Sequence, residues 1–290
     1  MTLEKKHNLT GWAFLAPATF LIAVFSFWPM IKALVLSFQT GKGRNMQMAG
    51  FTNYIRMFQD DVFIQSIKNT FFYFILQVPI MLVVALVLAC ILNKKDLRFK
   101  GFFRTMIFLP CTTSLVAYSI IFRSLFANNG LVNYVLVNLG ILDKPYNFLT
   151  QPFAAKMVIL LGLLWRWTGY NMVFFLSGLQ NIEYSVYEAA KIDGASAIQT
   201  FFKITVPLLK PTILLTAIMS TNGTLQLFDE SINLTDGGPA NASISMSHYI
   251  YNLCFKYVPN FGYAAAMSFF ILLLVAVLAF IQMRVGDKRD

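Results

Sequence analysis

Long apolar stretches separated by polar segments dominate this sequence, and the pattern predicts helices that cross a membrane. About 20 predominantly apolar residues are needed for an α-helix to span the hydrocarbon core of a bilayer. Six stretches approach or exceed that length, at residues 11–36, 69–93, 105–126, 153–180, 211–230 and 261–283. We therefore predict an all-α, polytopic membrane protein whose six transmembrane helices form a single domain, residues 1–290.

The fifth stretch is unusually polar, because Asn222, Gln226, Asp229 and Glu230 interrupt it. At spacings of i, i+4, i+7 and i+8, these side chains would share one face of a continuous helix. Ionisable residues inside a membrane are costly, and they face cavities or other helices rather than lipid. The pattern therefore predicts that the fifth helix lines a cavity.

The segment between the first two stretches, residues 39–68, is too polar to span. Its apolar residues Phe51, Tyr54 and Phe58 recur at helical spacing. This spacing predicts a short amphipathic helix that lies on the outer membrane surface. Another polar segment, residues 231–260, contains the turn-forming sequence LTDGGP. It is expected to form a second outer loop.

The distribution of Lys and Arg predicts the orientation of the chain, since basic residues concentrate in cytoplasmic connections. The densest cluster lies between the second and third stretches, and further basic residues flank both chain ends: Lys5, Lys6, Lys94, Lys95, Arg98, Lys100, Arg104, Arg284, Lys288 and Arg289. We expect both termini to lie inside, in a bacterial plasma membrane. The net charge of +10 then reflects topology, and no nucleic-acid partner is needed to explain it.

Composition supports a membrane protein and argues against a soluble enzyme. Only 12% of the residues are charged, half the fraction that is typical of soluble domains, and 57% are apolar. The phosphate-binding motif G-x-x-x-x-G-K-[ST] does not occur, and the sequence shows no Ser/His/Asp or metal-ligand pattern. We therefore predict no catalytic residue, no metal site and no cofactor bound by this chain.

One long inner connection, residues 181–210, is polar enough to leave the membrane but consists of helix-forming residues. We predict one helix that ends at Asp193-Gly194 and a second, from about Ser196 to Thr205, that stops before Pro207. The small residues Ala189, Ala190, Gly194 and Ala195 would allow close approach by a partner surface. From amphipathicity alone, a purely structural helical hairpin between two spans is the favoured explanation.

The order Glu188-Ala189-Ala190, then Asp193-Gly194-Ala195, then Pro207 resembles the EAA loop of ABC importer permeases. The LTDGGP sequence at residues 234–239 resembles a signature of the sugar-importer branch, the maltose-permease-like proteins. The resemblance covers the whole chain and implies the type I importer permease fold. It also implies that the loop couples the helices to a separate ATPase, which would bind ATP and Mg²⁺.

Polar and aromatic residues within the fourth and fifth stretches are the candidate substrate contacts. Amides and carboxylates suit sugar hydroxyls because they supply donors and acceptors, and aromatic rings cover the apolar faces of a pyranose. The resemblance points to the same two helices. The predicted contacts are Trp167, Tyr170, Asn171, Ser220, Asn222, Gly223, Gln226, Asp229 and Glu230. A role for Arg166 or Glu230 in holding helices or subunits together is the alternative.

The predicted function is import of a sugar, with an oligosaccharide favoured, by a permease subunit that alternates between outward-open and inward-open states. The implied partners are a second homologous permease, two ATPase subunits and an extracellular or periplasmic solute-binding protein. Two alternatives remain open. One is the same kind of permease with another cargo, such as glycerol phosphate, a polyol or a peptide. The other is a transporter or channel driven by an ion gradient.

Overall fold

A computed structural model describes residues 3–42, 45–94 and 96–286, with the side chains of residues 3–10 and 42 left undescribed. Three of the basic residues that predict orientation therefore lie outside the described residues, namely Lys95, Lys288 and Arg289. In the described ranges the protein is α-helical apart from a single two-stranded hairpin.

The helices, labelled in chain order, are α1 Leu3–Ile22, α2 Trp28–Ser37, α3 Thr52–Met57, α4 Asp61–Asn93, α5 Lys100–Thr112, α6 Leu115–Leu125, α7 Leu131–Asn138, α8 Pro152–Gln180, α9 Tyr184–Ile192, α10 Ala197–Thr200, α11 Val206–Leu208, α12 Lys210–Leu225, α13 Asp229–Thr235, α14 Met246–Tyr251 and α15 Phe261–Gly286. Three π-helical turns occur at Ala23–Phe27, Phe201–Thr205 and Asn252–Lys256. The antiparallel strands are β1 Gln39–Lys42 and β2 Asn45–Met48.

The chain divides into two compact units, and the first comprises residues 1–60 and 250–270. Its first helical stretch, Gly11–Ser37, is apolar enough to cross a membrane, and all described side chains from Gly11 to Lys32 are exposed. No other described part of this unit covers these side chains.

The predicted amphipathic helix over residues 39–68 is only partly correct, because this segment begins with the β-hairpin. Asn53 Nδ2 donates to the carbonyls of Ser37 and Gln39, at 2.9 and 2.8 Å, which ties α3 to the base of the hairpin. The rings of Phe38, Phe51 and Tyr54 cluster beside it with centroids 5.5–5.9 Å apart. The helical spacing in the sequence therefore reflects α3 alone.

The second unit, residues 61–249 and 271–290, is built on α4 and α8. Ala85 and Ala89 of α4 are fully buried and pack in one apolar cluster with Met172 and Phe175 of α8. Within lipid, helices associate through close van der Waals packing, which small residues permit. Gly169 of α8 extends this close approach toward α5. A Cβ atom built at this glycine would overlap the backbone of α5 at Ile107.

The third predicted span, residues 105–126, is bent by 98° between α5 and α6. Thr113 and Ser114 are extended, and Pro110 precedes them within α5. Proline removes a helical N–H donor, so this is a natural place for a helix to break. The carbonyl of Cys111, near the end of α5, instead accepts a hydrogen bond from Arg166 of α8, at 3.5 Å.

Within the described part of the chain, four helical stretches are long and apolar enough to span a membrane, namely Gly11–Ser37, Asp61–Asn93, Pro152–Gln180 and Phe261–Gly286. Two bent pairs of helices are also long and apolar enough if each pair is counted as one span. One is α5–α6, and the other is Ala197–Leu208 with α12, which is bent by 70°. Three predicted spans, 11–36, 153–180 and 261–283, agree with the helices to within three residues. The second begins earlier than predicted, at Asp61, because its polar first turns are also helical.

Candidate functional site

A cavity of about 320 Å³ lies in the second unit, among α4, α8, α12 and the chain that follows α12. Eight of the nine residues predicted to contact substrate line it, namely Trp167, Tyr170, Asn171, Ser220, Gly223, Gln226, Asp229 and Glu230. The ninth, Asn222, does not line the cavity. It is exposed, and its side chain accepts a hydrogen bond from the Gln226 amide.

The prediction that Asn222, Gln226, Asp229 and Glu230 share one face of a continuous helix is wrong. α12 ends at Leu225, Gln226 is its C-terminal cap, and Phe228 leaves helical geometry with φ −135° and ψ −59°. Asp229 and Glu230 belong to the next helix, α13, and reach the cavity because the chain turns back toward it.

Gly223 also differs from expectation, since α12 continues through this residue rather than breaking there. A Cβ atom built on Gly223 would meet no heavy atom within 4 Å. The glycine therefore widens the cavity instead of loosening the helix.

Trp167 and Tyr170 of α8 form an aromatic corner of the cavity. Their ring centroids are 5.9 Å apart with the planes nearly perpendicular, and Phe174 packs behind Tyr170 at 5.1 Å. Both side chains are half-buried, so part of each ring remains accessible. Such rings offer flat apolar surfaces next to polar groups, an arrangement that fits the two faces of a sugar.

Hydrogen bonds join the three helices at the cavity. Ser220 Oγ of α12 donates to Asn171 Oδ1 of α8 at 3.3 Å, and Asn171 Nδ2 donates to the Trp167 carbonyl at 3.1 Å. On the opposite side, the Thr224 hydroxyl of α12 donates to the amide oxygen of Gln77 in α4. Polar side chains inside a membrane helix bundle are retained where they bond across helices, and these contacts hold α12 against both neighbours.

The charged residues in the cavity wall are Asp229 and Glu230. Glu230 is 4% exposed, whereas Asp229 is half-buried. Arg166 precedes Trp167 in α8 but does not line the cavity. Its Nη atoms reach Thr113 Oγ1 at 3.4 Å and the Cys111 carbonyl at 3.5 Å. No ion pair joins Arg166 to Glu230 among the described residues, so Arg166 serves mainly to close the break between α5 and α6.

The connection between the fourth and fifth predicted spans, residues 181–210, is largely helical. α9 ends at Ile192, and Gly194 adopts the left-handed conformation with φ +74°. The N–H groups of Gly194 and Ala195 donate to the carbonyls of Lys191 and Ala190, at 3.2 and 2.9 Å, which is the Schellman arrangement that ends many helices. These bonds agree with the predicted break at Asp193-Gly194.

Ser196 begins the second helical segment with a capping box, in which its side chain and that of Gln199 bond each other's backbone N–H groups. The predicted stop before Pro207 is wrong, because the helical segment continues to Leu208 through a π-helical turn, Phe201–Thr205. Pro207 is the second residue of α11 and directly follows the π-helical turn and Val206.

Most residues assigned to a partner in this connection are exposed, including Glu188, Ala189, Asp193, Gly194 and Pro207. Ala190 is instead 6% exposed and Ala195 is half-buried. Large apolar side chains beside them are left uncovered, with Ile192, Ile198 and Phe202 exposed to 85%, 72% and 65%. An apolar surface of this kind is typical of a protein interaction site.

A larger and more open cavity, of about 760 Å³, lies beside α9 and the ends of α4 and α8. None of the predicted substrate contacts lines it. The polar residues that were expected to meet substrate therefore converge on the smaller cavity alone.

Residues 61–289 match the family described as binding-protein-dependent transport system inner membrane component. The match covers well over half of the chain and includes every predicted site residue. The chain belongs to this family.

Relatives of this permease align over nearly its whole length. It is 51% identical to the lactose transport system permease protein LacF of Rhizobium radiobacter, over 99% of this chain and 97% of that protein. It is 33% identical to the multiple sugar-binding transport system permease protein MsmF of Streptococcus mutans, over 99% of both. These matches confirm the family that the segment from Glu188 to Pro207 predicted.

The fold of the permease also matches a solved structure. A chain of the bacterial alginate ABC transporter, in complex with an alginate pentasaccharide-bound periplasmic protein, is 25% identical and superposes with a TM-score of 0.86. The superposition covers 98% of this chain and 96% of that one. It confirms the predicted fold class of an ABC importer permease.

Sequence reasoning missed part of the permease cavity. Gln77 and Met81 of α4 line it, as do Leu115, Leu163, Met219, Thr224, Leu227 and Phe228. Gln77 carried a usable signal, because it is a lone amide inside an otherwise apolar span. The apolar lining residues carried no such signal, because hydropathy does not distinguish an apolar cavity wall from a lipid-facing surface.

The permease also contains a Ser/His/Asp grouping that the sequence did not predict. His248 Nδ1 lies 2.9 Å from Ser231 Oγ, and its Nε2 lies 3.7 Å from Asp236 Oδ1. Ser231 is fully buried and its hydroxyl donates to the Ser243 carbonyl, so His248 donates to the serine rather than removing its proton. The grouping therefore pins the LTDGGP loop and is not arranged for nucleophilic catalysis.

Proposed function

We propose that this permease is the membrane-spanning subunit of an ATP-driven, binding-protein-dependent importer whose substrate is a sugar, with an oligosaccharide favoured. The observation that carries the proposal is the convergence of eight predicted contacts on one cavity between α4, α8 and α12. Its aromatic corner and neutral amides and hydroxyls match the alternating apolar and polar surfaces of a saccharide. Two relatives are named as permeases of a lactose transport system and of a multiple sugar-binding transport system, and these names support the same substrate class.

The permease would work with partners. Two ATPase subunits would bind ATP and Mg²⁺, and the exposed apolar surface around Ile192, Ile198 and Phe202 would dock against one of them. A second homologous permease would cover part of the exposed N-terminal helix, Gly11–Ser37. A solute-binding protein would deliver the sugar, in keeping with the family description and with the binding protein present in the alginate transporter structure.

The proposal includes six spans, with both termini inside the plasma membrane, so that the segment 181–210 lies in the cytoplasm. The orientation can be tested with two single-cysteine variants, Lys191→Cys and Asp143→Cys, each made in a protein that lacks the three native cysteines. Both positions are exposed. Asp143→Cys should react with a membrane-impermeant maleimide in intact cells or spheroplasts, whereas Lys191→Cys should react only after permeabilisation. Reaction of Lys191→Cys from outside would overturn the orientation.

The transport function can be tested with the assembled complex in proteoliposomes. Uptake of labelled lactose, raffinose, glycerol phosphate and a polyol should require the binding protein together with ATP on the ATPase side. Uptake of a saccharide should survive an uncoupler. Uptake that persists without ATP and collapses with the uncoupler would favour an ion-coupled transporter, and uptake restricted to glycerol phosphate or the polyol would correct the cargo.

Tyr170→Ala should lower the apparent affinity for the transported sugar by about 10-fold. The reason is that one aromatic face, worth about 1–1.5 kcal/mol, is lost from the cavity. The measurement is the concentration dependence of uptake at matched protein abundance. The matched control is Tyr134→Ala in α7, an exposed tyrosine outside the cavity, which should leave uptake unchanged. Equal behaviour of the two variants would show that the substrate site lies elsewhere.

A further inference from the structure

The cavity wall has an uneven charge distribution. Of the sixteen residues that line it, Asp229 and Glu230 are acidic and none is basic. The other polar lining groups are neutral amides, hydroxyls and aromatic side chains. A neutral saccharide can bond to all of these groups, whereas an anionic one would bring its charge into a wall that already holds two carboxyl groups.

Arg166, the basic residue next to the cavity in α8, does not line the cavity. It is 5% exposed, and its Nη atoms bond Thr113 and the Cys111 carbonyl at the break between α5 and α6. The rings of Tyr118 and Trp167 flank its guanidinium group at 5.5 Å each. Turning Arg166 toward the cavity would leave the Cys111 carbonyl without this donor, and that carries its own cost.

Resting on the proposed function, we infer that Asp229 and Glu230 make the site selective for uncharged saccharides and against saccharides that carry a carboxylate. A carboxylate that leaves water needs a cationic partner or several hydrogen-bond donors, and here it would face like charge instead. Both carboxyl groups line the cavity; Glu230 is 4% exposed and Asp229 is half-buried.

The fold alone does not decide this selectivity. The alginate transporter, which shares the fold with a TM-score of 0.86, is described as importing an acidic polysaccharide. Two permeases of one architecture can therefore differ in the charge of their cargo. In this permease, the residues after α12 provide the discriminating charge.

The test measures direct binding to the purified transporter complex in nanodiscs, without the solute-binding protein, so that delivery does not determine the outcome. The probes are lactose, galacturonosyl-β-1,4-glucose and the uronamide of the latter. They differ only at one exocyclic position, as hydroxymethyl, carboxylate and carboxamide. We expect the acid to bind at least about 10-fold more weakly than lactose, and the amide to bind within about 3-fold of lactose.

Substitutions of Glu230 and Asp229 test whether these two residues cause the weaker binding of the acid. Glu230→Gln and Asp229→Asn should each reduce the difference between lactose and the acid, and the double substitution should reduce it to about 3-fold or less. The matched control is Asp143→Asn, an exposed carboxylate outside the cavity, which should keep the full difference. The uronamide comparison needs no substitution, so the result stands even if Glu230→Gln does not assemble.

The outcomes separate this inference from the proposed function. Equal binding of lactose and the acid would overturn the charge selectivity and leave the sugar site in place. Equally weak binding of acid and amide would also overturn it, because the cause would then be size. If none of the three probes nor a panel of neutral oligosaccharides binds, the proposed function and this inference both fail.

Discussion

Gly169→Ala is expected to prevent this permease from accumulating in the membrane, although alanine is the better helix former. In the interior of a helix, Gly to Ala ordinarily contributes about 1 kcal/mol of stability. At Gly169 the added Cβ would overlap the Ile107 carbonyl of α5 and lie 2.7 Å from its carbonyl carbon. Backbone atoms cannot move aside as a flexible side chain can, so α5 and α8 would have to separate.

The separation would also disturb Arg166, which bonds the end of α5 from the same face of α8. Overpacking of this kind costs about 1–3 kcal/mol or more, which is a large part of the stability of a typical protein. We expect at least a 10-fold fall in folded protein, measured by size-exclusion chromatography of a fluorescent fusion after mild detergent extraction.

The matched control is Gly101→Ala near the start of α5, where a built Cβ meets no atom within 4 Å. This variant should accumulate as the unsubstituted protein does. If Gly169→Ala accumulated and transported equally well, the close packing of α5 on α8 in this structure would be incorrect.

Local sequence signals predicted the long helices and one turn of this protein correctly. Hydropathy located the spans at 11–36, 153–180 and 261–283, because these helices are long and predominantly apolar. The Asp193-Gly194 pair marked the end of α9, because glycine adopts a left-handed conformation without strain. Each of these features depends on residues close together in the chain.

The features that sequence reasoning missed depend on contacts between distant residues. The break between α5 and α6 is supported by Arg166, more than 50 residues away in the chain. The hairpin at residues 39–48 is tied down by Asn53, and the Ser231–His248 contact forms only when the LTDGGP loop folds back. No local pattern contains this information.

The cavity shows how a prediction can name the right residues for a partly wrong reason. Gln226, Asp229 and Glu230 were grouped because they would share a face of one long helix, whereas α12 stops at Leu225. They still line the cavity, because polar groups cannot face lipid and the chain must bring them to a polar interior. The cost of exposing charge to lipid was therefore a better guide than helical periodicity.

Gly194→Leu is expected to abolish transport while leaving the permease assembled in its membrane. A Cβ built at Gly194 meets no atom within 4 Å, so leucine creates no clash inside this chain. The left-handed φ of +74° adds about 1–2 kcal/mol of backbone strain for a side chain of this kind. The leucine would also project from an exposed turn, into the space where we propose that an ATPase docks.

Strain and bulk can be separated with Gly194→Asn, because asparagine adopts the left-handed conformation more readily than other side chains. If backbone strain alone mattered, the asparagine variant would behave almost like the unsubstituted protein and leucine would lower the amount of folded permease. If docking matters, leucine should leave the amount of folded permease unchanged, and uptake should fall by at least about 10-fold.

Two measurements distinguish these outcomes in the purified complex: the ratio of co-purifying ATPase to permease, and ATP hydrolysis stimulated by sugar-loaded binding protein. If the turn docks the ATPase, Gly194→Leu should lower the ATPase-to-permease ratio, the stimulated ATP hydrolysis, or both. The control is Gly101→Leu in α5, where the glycine also has no neighbouring atom within 4 Å, and this variant should retain both properties. Full stimulation of ATP hydrolysis with leucine at residue 194 would remove this turn from the proposed interface. The exposed apolar side chains at Ile192, Ile198 and Phe202 would then need another explanation.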